Sequence, residues 1–177
     1  MKRTLLEELL RDVERITGER DLVMIGSQAI HAAVVDVPAE VMISRECDLL
    51  FDDDDPAAAA IDGSLGPDSE RAAELLVHVD TVSSSFPFLA PSWEQRLVPF
   101  GHPAPHVRCL EIHDLVLSKL AAGRLKDYEL VAVLLDRELV ELEVVRTRIS
   151  EPDQPRPRFI SNDSRTRMLM DVTATQR

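Results

Sequence analysis

Ser44-Arg-Glu-Cys-Asp-Leu-Leu-Phe51 is the stretch on which the reading of the fold turns. Side chains on a β-strand alternate between its faces, so Glu46 and Asp48, two residues apart, point the same way if this stretch is a strand. Leu49, Leu50 and Phe51 anchor such a strand in a core and leave the acids at the edge of a cleft. Upstream, Asp21-Leu-Val-Met-Ile25 reads as a short strand broken by Gly26-Ser27, and Gln28 to Val35 suits a helix that Pro38 ends. Downstream, Asp52 to Asp55 followed by Pro56 marks the exit of the acidic strand. Four adjacent carboxylates splay in different directions, so this run reads as a solvated turn and not as a metal site.

Working outward, residues 4–17 place Leu5, Leu6, Leu9, Leu10, Val13 and Ile16 on one stripe at helical spacing. After the acidic run come a short helical patch at Ala57–Ile61, turn chemistry from Ile61 to Ser69, a brief helix around Glu70–Leu76 and a third strand, Val77 to Val82. Ser83 to Pro105, rich in Pro and aromatic residues, reads as an ordered connection wrapped over the core. Val107 to Leu110 is a fourth strand, and three helical patterns follow, from Ile112, Lys126 and Glu141, with Gly123 as the first break. This order predicts an α/β (α+β) domain over residues 1–150, a small mixed sheet with a C-terminal helical layer. Residues 151–177, with early Pro and scattered Arg, read as a flexible tail.

Composition narrows the function classes. The chain has 177 residues, of which 45% are hydrophobic, enough for one core that removes about 70% of the unfolded surface from water. No run of eighteen apolar residues exists, which argues against a membrane-spanning helix, and the charged start is unlike a signal peptide. Cys47 and Cys109 sit in apolar stretches and imply no disulfide scaffold, so a cytoplasmic protein is expected. A net charge of −12 repels a bare polyanion at long range. Metal-bridged phosphate chemistry is less affected, because a divalent ion reverses the field inside an acidic cleft.

Two constellations carry chemistry. Glu46 and Asp48 supply the hard oxygens that Mg²⁺ takes together with substrate phosphates, and Gly26-Ser27 at a helix start offers backbone N–H groups and a hydroxyl to a phosphate. Asp80, on the third strand, completes a three-carboxylate metal site if strands two and three are neighbours, the acid count that a two-metal centre favours. The second constellation is Lys119-Leu-Ala-Ala-Gly-Arg124-Leu-Lys126-Asp127, three cations around a helix junction that would suit a triphosphate. Asp127 there either orients a cation or caps the next helix. The five His show no metal-ligand spacing, and neither a phosphate-binding Gly-Lys-Ser/Thr loop nor a Gly-x-Ser-x-Gly elbow is present.

The combined order IGSQAIHAA, RECDLLFDD and LEIHDLVLSKLAAGRLKDYEL resembles the bacterial nucleotidyltransferase families related to the AbiEii and MenT toxins, of the DNA polymerase beta-like superfamily. The similarity runs over roughly residues 20–137, and the Lys followed by Ala-Gly-Arg-x-Lys-Asp is its most distinctive part. The resemblance implies a polymerase beta-like fold in which Gly26 and Ser27 hold nucleotide phosphates and Glu46 and Asp48 bind Mg²⁺. Lys119, with Arg124 and Lys126 in the same block, would contact the triphosphate, and Asp127 stands at the second acidic position. Glu46 stands where such pairs usually have Asp. Enzymes of this kind move a nucleoside monophosphate from a nucleoside triphosphate to an acceptor hydroxyl. In the toxin branch the acceptor is tRNA and the usual partner is an antitoxin. The competing expectation is a non-catalytic binding protein on the same scaffold, using the apolar loop from Phe86 to Phe100 as a contact surface, which would also permit a homodimer.

Overall fold

A computed structural model of the chain describes residues 1–18 and 20–150. The tail from residue 151, expected to be flexible, lies outside the described residues. The leucine stripe forms α1 (Arg3–Thr17), whose Leu6, Leu9, Leu10 and Val13 are buried at the i, i+3, i+4, i+7 spacing of one helical face. Gly18, at φ +69°, ends it by donating its N–H to the Glu14 carbonyl. The sheet is built from β1 (Leu22–Ile25), β2 (Glu46–Phe51), β3 (His78–Ser83), β4 (Val98–Pro99) and β5 (Val107–Cys109) in the order β3-β2-β1-β5-β4. β1 is antiparallel to β2 and parallel to β5, β2 is parallel to β3, and β4 is antiparallel to β5, giving the expected mixed sheet.

Burial alternates along β2. Cys47, Leu49 and Phe51 are buried and join the α1 leucines in one core, whereas Glu46, Asp48 and Leu50 are half-buried. The parallel pairing of β2 and β3 requires a crossover, supplied by α2 (Pro56–Leu65) and α3 (Glu70–Leu75). Asp55 caps α2 with its carboxylate on the Ala57 N–H and pairs with Arg20, so the end of the acidic run is helix-start chemistry. The C-terminal layer is α4 (Ile112–Ala122), α5 (Leu125–Asp136) and α6 (Leu142–Ser150).

Four local expectations are corrected. Gln28 to Val35 is not an α-helix: a 3₁₀ helix spans Ser27–Ala32, and Gln28, Ala29, Ile30 and His31 are all buried. Continuous burial wedges this segment against β1, β2 and α4. Val35 beyond it is 94% exposed, leaving no apolar face on which to extend. The turn expected from Ile61 is instead helical to Leu65, because Ile61 and Leu65, one turn apart, are both buried. The second strand starts at Glu46 rather than Ser44. The Pro-rich segment holds a 3₁₀ turn at Trp93–Arg96 and the strand β4, and its Trp93 and Phe100 are buried in the core, leaving Phe86 exposed. That removes most of the contact surface expected of a binding protein.

α4 is the central helix, with Leu115, Val116, Leu117 and Leu120 almost wholly buried. Its position is fixed by a buried carboxylate. Asp114 accepts two hydrogen bonds from Arg96, at 2.8 Å from Nε and 3.0 Å from Nη2, and Arg148 of α6 lies 3.0 Å away. One acid thus ties the loop before β4 and the last described helix to α4. Removing one partner of a buried ion pair leaves an uncompensated charge. Asp114→Ala is expected to lower the free energy of unfolding by about 3–5 kcal/mol, measured by urea denaturation.

Candidate active site

Three strand ends converge on one side of the sheet. Ile25, the last residue of β1, pairs with Asp48, and in β2 and β3 Glu46 stands beside His78 and Asp48 beside Asp80. Period-two alternation therefore places four polar side chains in a block on one face. At the turn after β1, Gly26 has φ +70°, and a Cβ built there would lie 1.9 Å from Oδ2 of Asp48. Both the dihedral and the space require glycine: the Asp48 carboxylate occupies the room a side chain would take.

The opposite wall is the α4–α5 junction. Gly123, at φ +65°, closes α4 in the left-handed region, and Arg124 occupies the cap of α5. Asp127, only 2% exposed, accepts from the Arg124 backbone N–H at 3.2 Å and from its guanidinium at 2.7 and 3.1 Å, with Lys119 Nζ at 3.6 Å. Burial pushes the Asp127 carboxyl up, but the Arg124 hydrogen bonds and the Lys119 charge outweigh it and hold the group below its ordinary value. Asp127 thus combines the two roles left open for it: it starts α5 and fixes the direction of two cations. Lys126 Nζ reaches to 4.0 Å from Glu46 Oε2.

Between the walls lies a cleft of about 810 Å³. Gly26, Glu46, Asp48 and Asp80 line its sheet side, and Lys119, Arg124 and Lys126 line its helix side. Phe86 and Phe88 from the loop after β3 flank it. Three carboxylates face three cations, a local balance hidden by the chain's net −12. Ser27 lies outside this lining; its hydroxyl accepts from Gln28 Nε2 at 3.4 Å. A smaller cavity of about 520 Å³, floored by Val23, Leu50 and Phe51, lies toward the other end of β2. Its Arg20 is engaged by Asp55.

Asp48 is the electrostatic centre of the cleft. Burial pushes its carboxyl up to about 6, with Glu46 and Asp80 adding to the rise while Lys119 and Lys126 oppose it. The carboxylates of Glu46, Asp48 and Asp80 line one wall of the cleft, and their hard oxygens are a donor type that suits a divalent cation. His78 adds an imidazole: ligand atoms of Glu46, His78 and Asp80 lie within 4.8 Å of one another. His78 stands in no local metal-ligand spacing, so the sequence alone does not single it out as a ligand. The available signal was that His78 precedes Asp80 by two residues, as Glu46 precedes Asp48.

A mixed sheet with paired acids beside a Gly turn, faced by cations at a helix junction, fits the nucleotidyltransferase fold. The family described as "Nucleotidyltransferase of unknown function (DUF6036)" matches residues 4–174, and the chain belongs to it. No curated protein and no solved structure matches the chain. Among the described residues, no helix is long and apolar enough to cross a membrane.

The raised Asp48 carboxyl predicts a pH signature. Its folded value of about 6 lies above the ordinary 3.8, so the folded state holds the proton more tightly and loses stability as pH rises between those values. Asp48→Asn lacks this penalty. Without metal, the variant is expected to match the wild type below about pH 4 and to be more stable by about 1–3 kcal/mol above about pH 6, as measured by denaturation across that range.

Proposed function

We propose that the protein is a divalent-metal-dependent nucleotidyltransferase that moves a nucleoside monophosphate from a nucleoside triphosphate to an acceptor hydroxyl. The observation that carries this reading is the pair of opposed walls, three carboxylates on β2 and β3 against Lys119, Arg124 and Lys126 across one cleft. Glu46, Asp48 and Asp80 would hold Mg²⁺, which when bound supplies positive charge to the triphosphate oxygens. The acceptor oxygen forms a bond to the α-phosphorus, the α–β bridging bond breaks, and pyrophosphate leaves while the hydroxyl proton passes to solvent. Charge grows on the pyrophosphate as that bond breaks, and Lys119, Lys126 and Arg124 stand where they can neutralise it. Asp127 serves this step indirectly by holding Lys119 and Arg124 in place. Gly26, without a side chain, leaves the room in which the Asp48 carboxylate sits. The tight 3₁₀ start at Ser27 is too short to act as a helix dipole, so phosphate binding falls chiefly to the cations of α4 and α5.

The resemblance to the AbiEii and MenT toxins favours an RNA hydroxyl, in particular of tRNA, as the acceptor, and an antitoxin as partner; a protein hydroxyl is the alternative acceptor. The test is incubation of the protein with each α-labelled nucleoside triphosphate, Mg²⁺ or Mn²⁺, and total RNA and protein. Label is expected in RNA, and Asp48→Asn is expected to reduce it by about 10²–10³-fold. Label in protein would redirect the acceptor, and an unchanged rate in Asp48→Asn would overturn the assignment of the site. Lys119→Ala is expected to lower the transfer rate by about 10-fold or more with its metal affinity retained, measured by the same assay and by calorimetry.

A further inference from the structure

The register of β2 and β3 joins a nitrogen donor to the acids. Glu46 pairs with His78, and Asp80 follows one period later on the same face. His78 Nε2 stands 3.3 Å from Asp80 Oδ1. Two neighbouring ligands each about 2.1 Å from an ion stand about 3.0 Å apart in octahedral and about 3.4 Å apart in tetrahedral geometry, so this pair already has ligand spacing. Glu46 brings an oxygen within 4.8 Å of both. Their side chains are between 21% and 42% exposed, so an ion can reach them from solvent without opening the fold.

We propose that His78, Glu46 and Asp80 form a nitrogen–oxygen–oxygen site that selects a first-row transition cation such as Mn²⁺ or Co²⁺ over Mg²⁺. This rests on the reading of the cleft as a metal-dependent nucleotidyltransferase site and adds to it which ion these three residues select. The reason is ligand softness. Mg²⁺ takes oxygen ligands and keeps its waters, whereas imidazole adds affinity for transition ions in the order Mn²⁺ below Co²⁺. Asp80 stands between two groups of donors, Asp48 on the side of Gly26 and the His78–Glu46 pair on the other. An ion held by Asp48 and Asp80 would meet oxygen alone, whereas one held by His78, Glu46 and Asp80 would also meet the imidazole.

The full chain is titrated with MnCl₂ and with MgCl₂ by calorimetry, and the Mn²⁺-loaded protein is examined by pulsed electron paramagnetic resonance for imidazole nitrogen coupling. Wild type is expected to bind Mn²⁺ at least about 10-fold more tightly than Mg²⁺ and to show the coupling. His78→Ala is expected to lose the coupling and to weaken Mn²⁺ binding by about 10-fold or more, with Mg²⁺ affinity changed less than about 2-fold. His78→Gln, which keeps side-chain bulk and an oxygen donor, should also lose the coupling, and its thermal melt guards against a folding defect. Absence of nitrogen coupling in wild type, or Mn²⁺ affinity unchanged in His78→Ala, would overturn the proposal. Failure of the nucleotidyltransferase reading is separately visible: coupling that depends on His78, with no label transferred under any metal, keeps the metal site and removes the reaction.

Discussion

The contact between the Asp48 carboxylate and Gly26 is the constraint around which the rest of the cleft is arranged. A carboxylate can sit against a backbone turn only where the turn lacks a side chain and accepts a positive φ, and Gly26 meets both conditions. That position puts Asp48 where water is scarce and two other acids are near, so its ionised form is held at a disadvantage. Such an arrangement is unfavourable for stability alone. It becomes favourable when a cation enters, because the same low-dielectric surroundings that penalise an isolated charge strengthen its attraction to an opposite one.

The helix side of the cleft answers the sheet side. Asp127 sits beneath the α4–α5 junction and not in the cleft, where it restrains Arg124 and Lys119. Deeper still, Asp114 joins Arg96 and Arg148 and sets the seat of α4 itself. The buried acids are therefore structural, the half-buried ones on β2 and β3 line the cleft, and the cations of the junction stand between the two groups.

Most of the sheet side was legible in the sequence because strand periodicity is strict: Glu46 and Asp48 had to share a face, and Asp80 joined them once β2 and β3 proved to be parallel neighbours. The helix junction was legible from Gly123 and the cations flanking it. Gln28 to Val35 was misread because an apolar run carries no record of whether it packs on one side, as an α-helix does, or is enclosed on all sides, as this 3₁₀ segment is. Trp93 and Phe100 were misread for the opposite reason, since a Pro-rich setting suggests exposure while tertiary packing decides it. His78 escaped because its partner Glu46 is 32 residues away in the chain, and only the strand register brings the two together. Asp127 divides between the two views: its cap role follows from its place at a helix start, but its hold on Lys119 depends on how α4 turns into α5.

In the proposed reaction metal and triphosphate occupy this cleft together, the one against the carboxylates and the other against the cations. Calorimetric titration of the wild type with a non-hydrolysable nucleoside triphosphate, in the presence and absence of Mg²⁺, tests it most directly. Affinity is predicted to rise by about 10-fold or more with the metal, and by linkage Mg²⁺ must bind more tightly by the same factor when the triphosphate is present. Equal affinity with and without metal would mean that the carboxylates and the cations do not act on one metal-bound triphosphate.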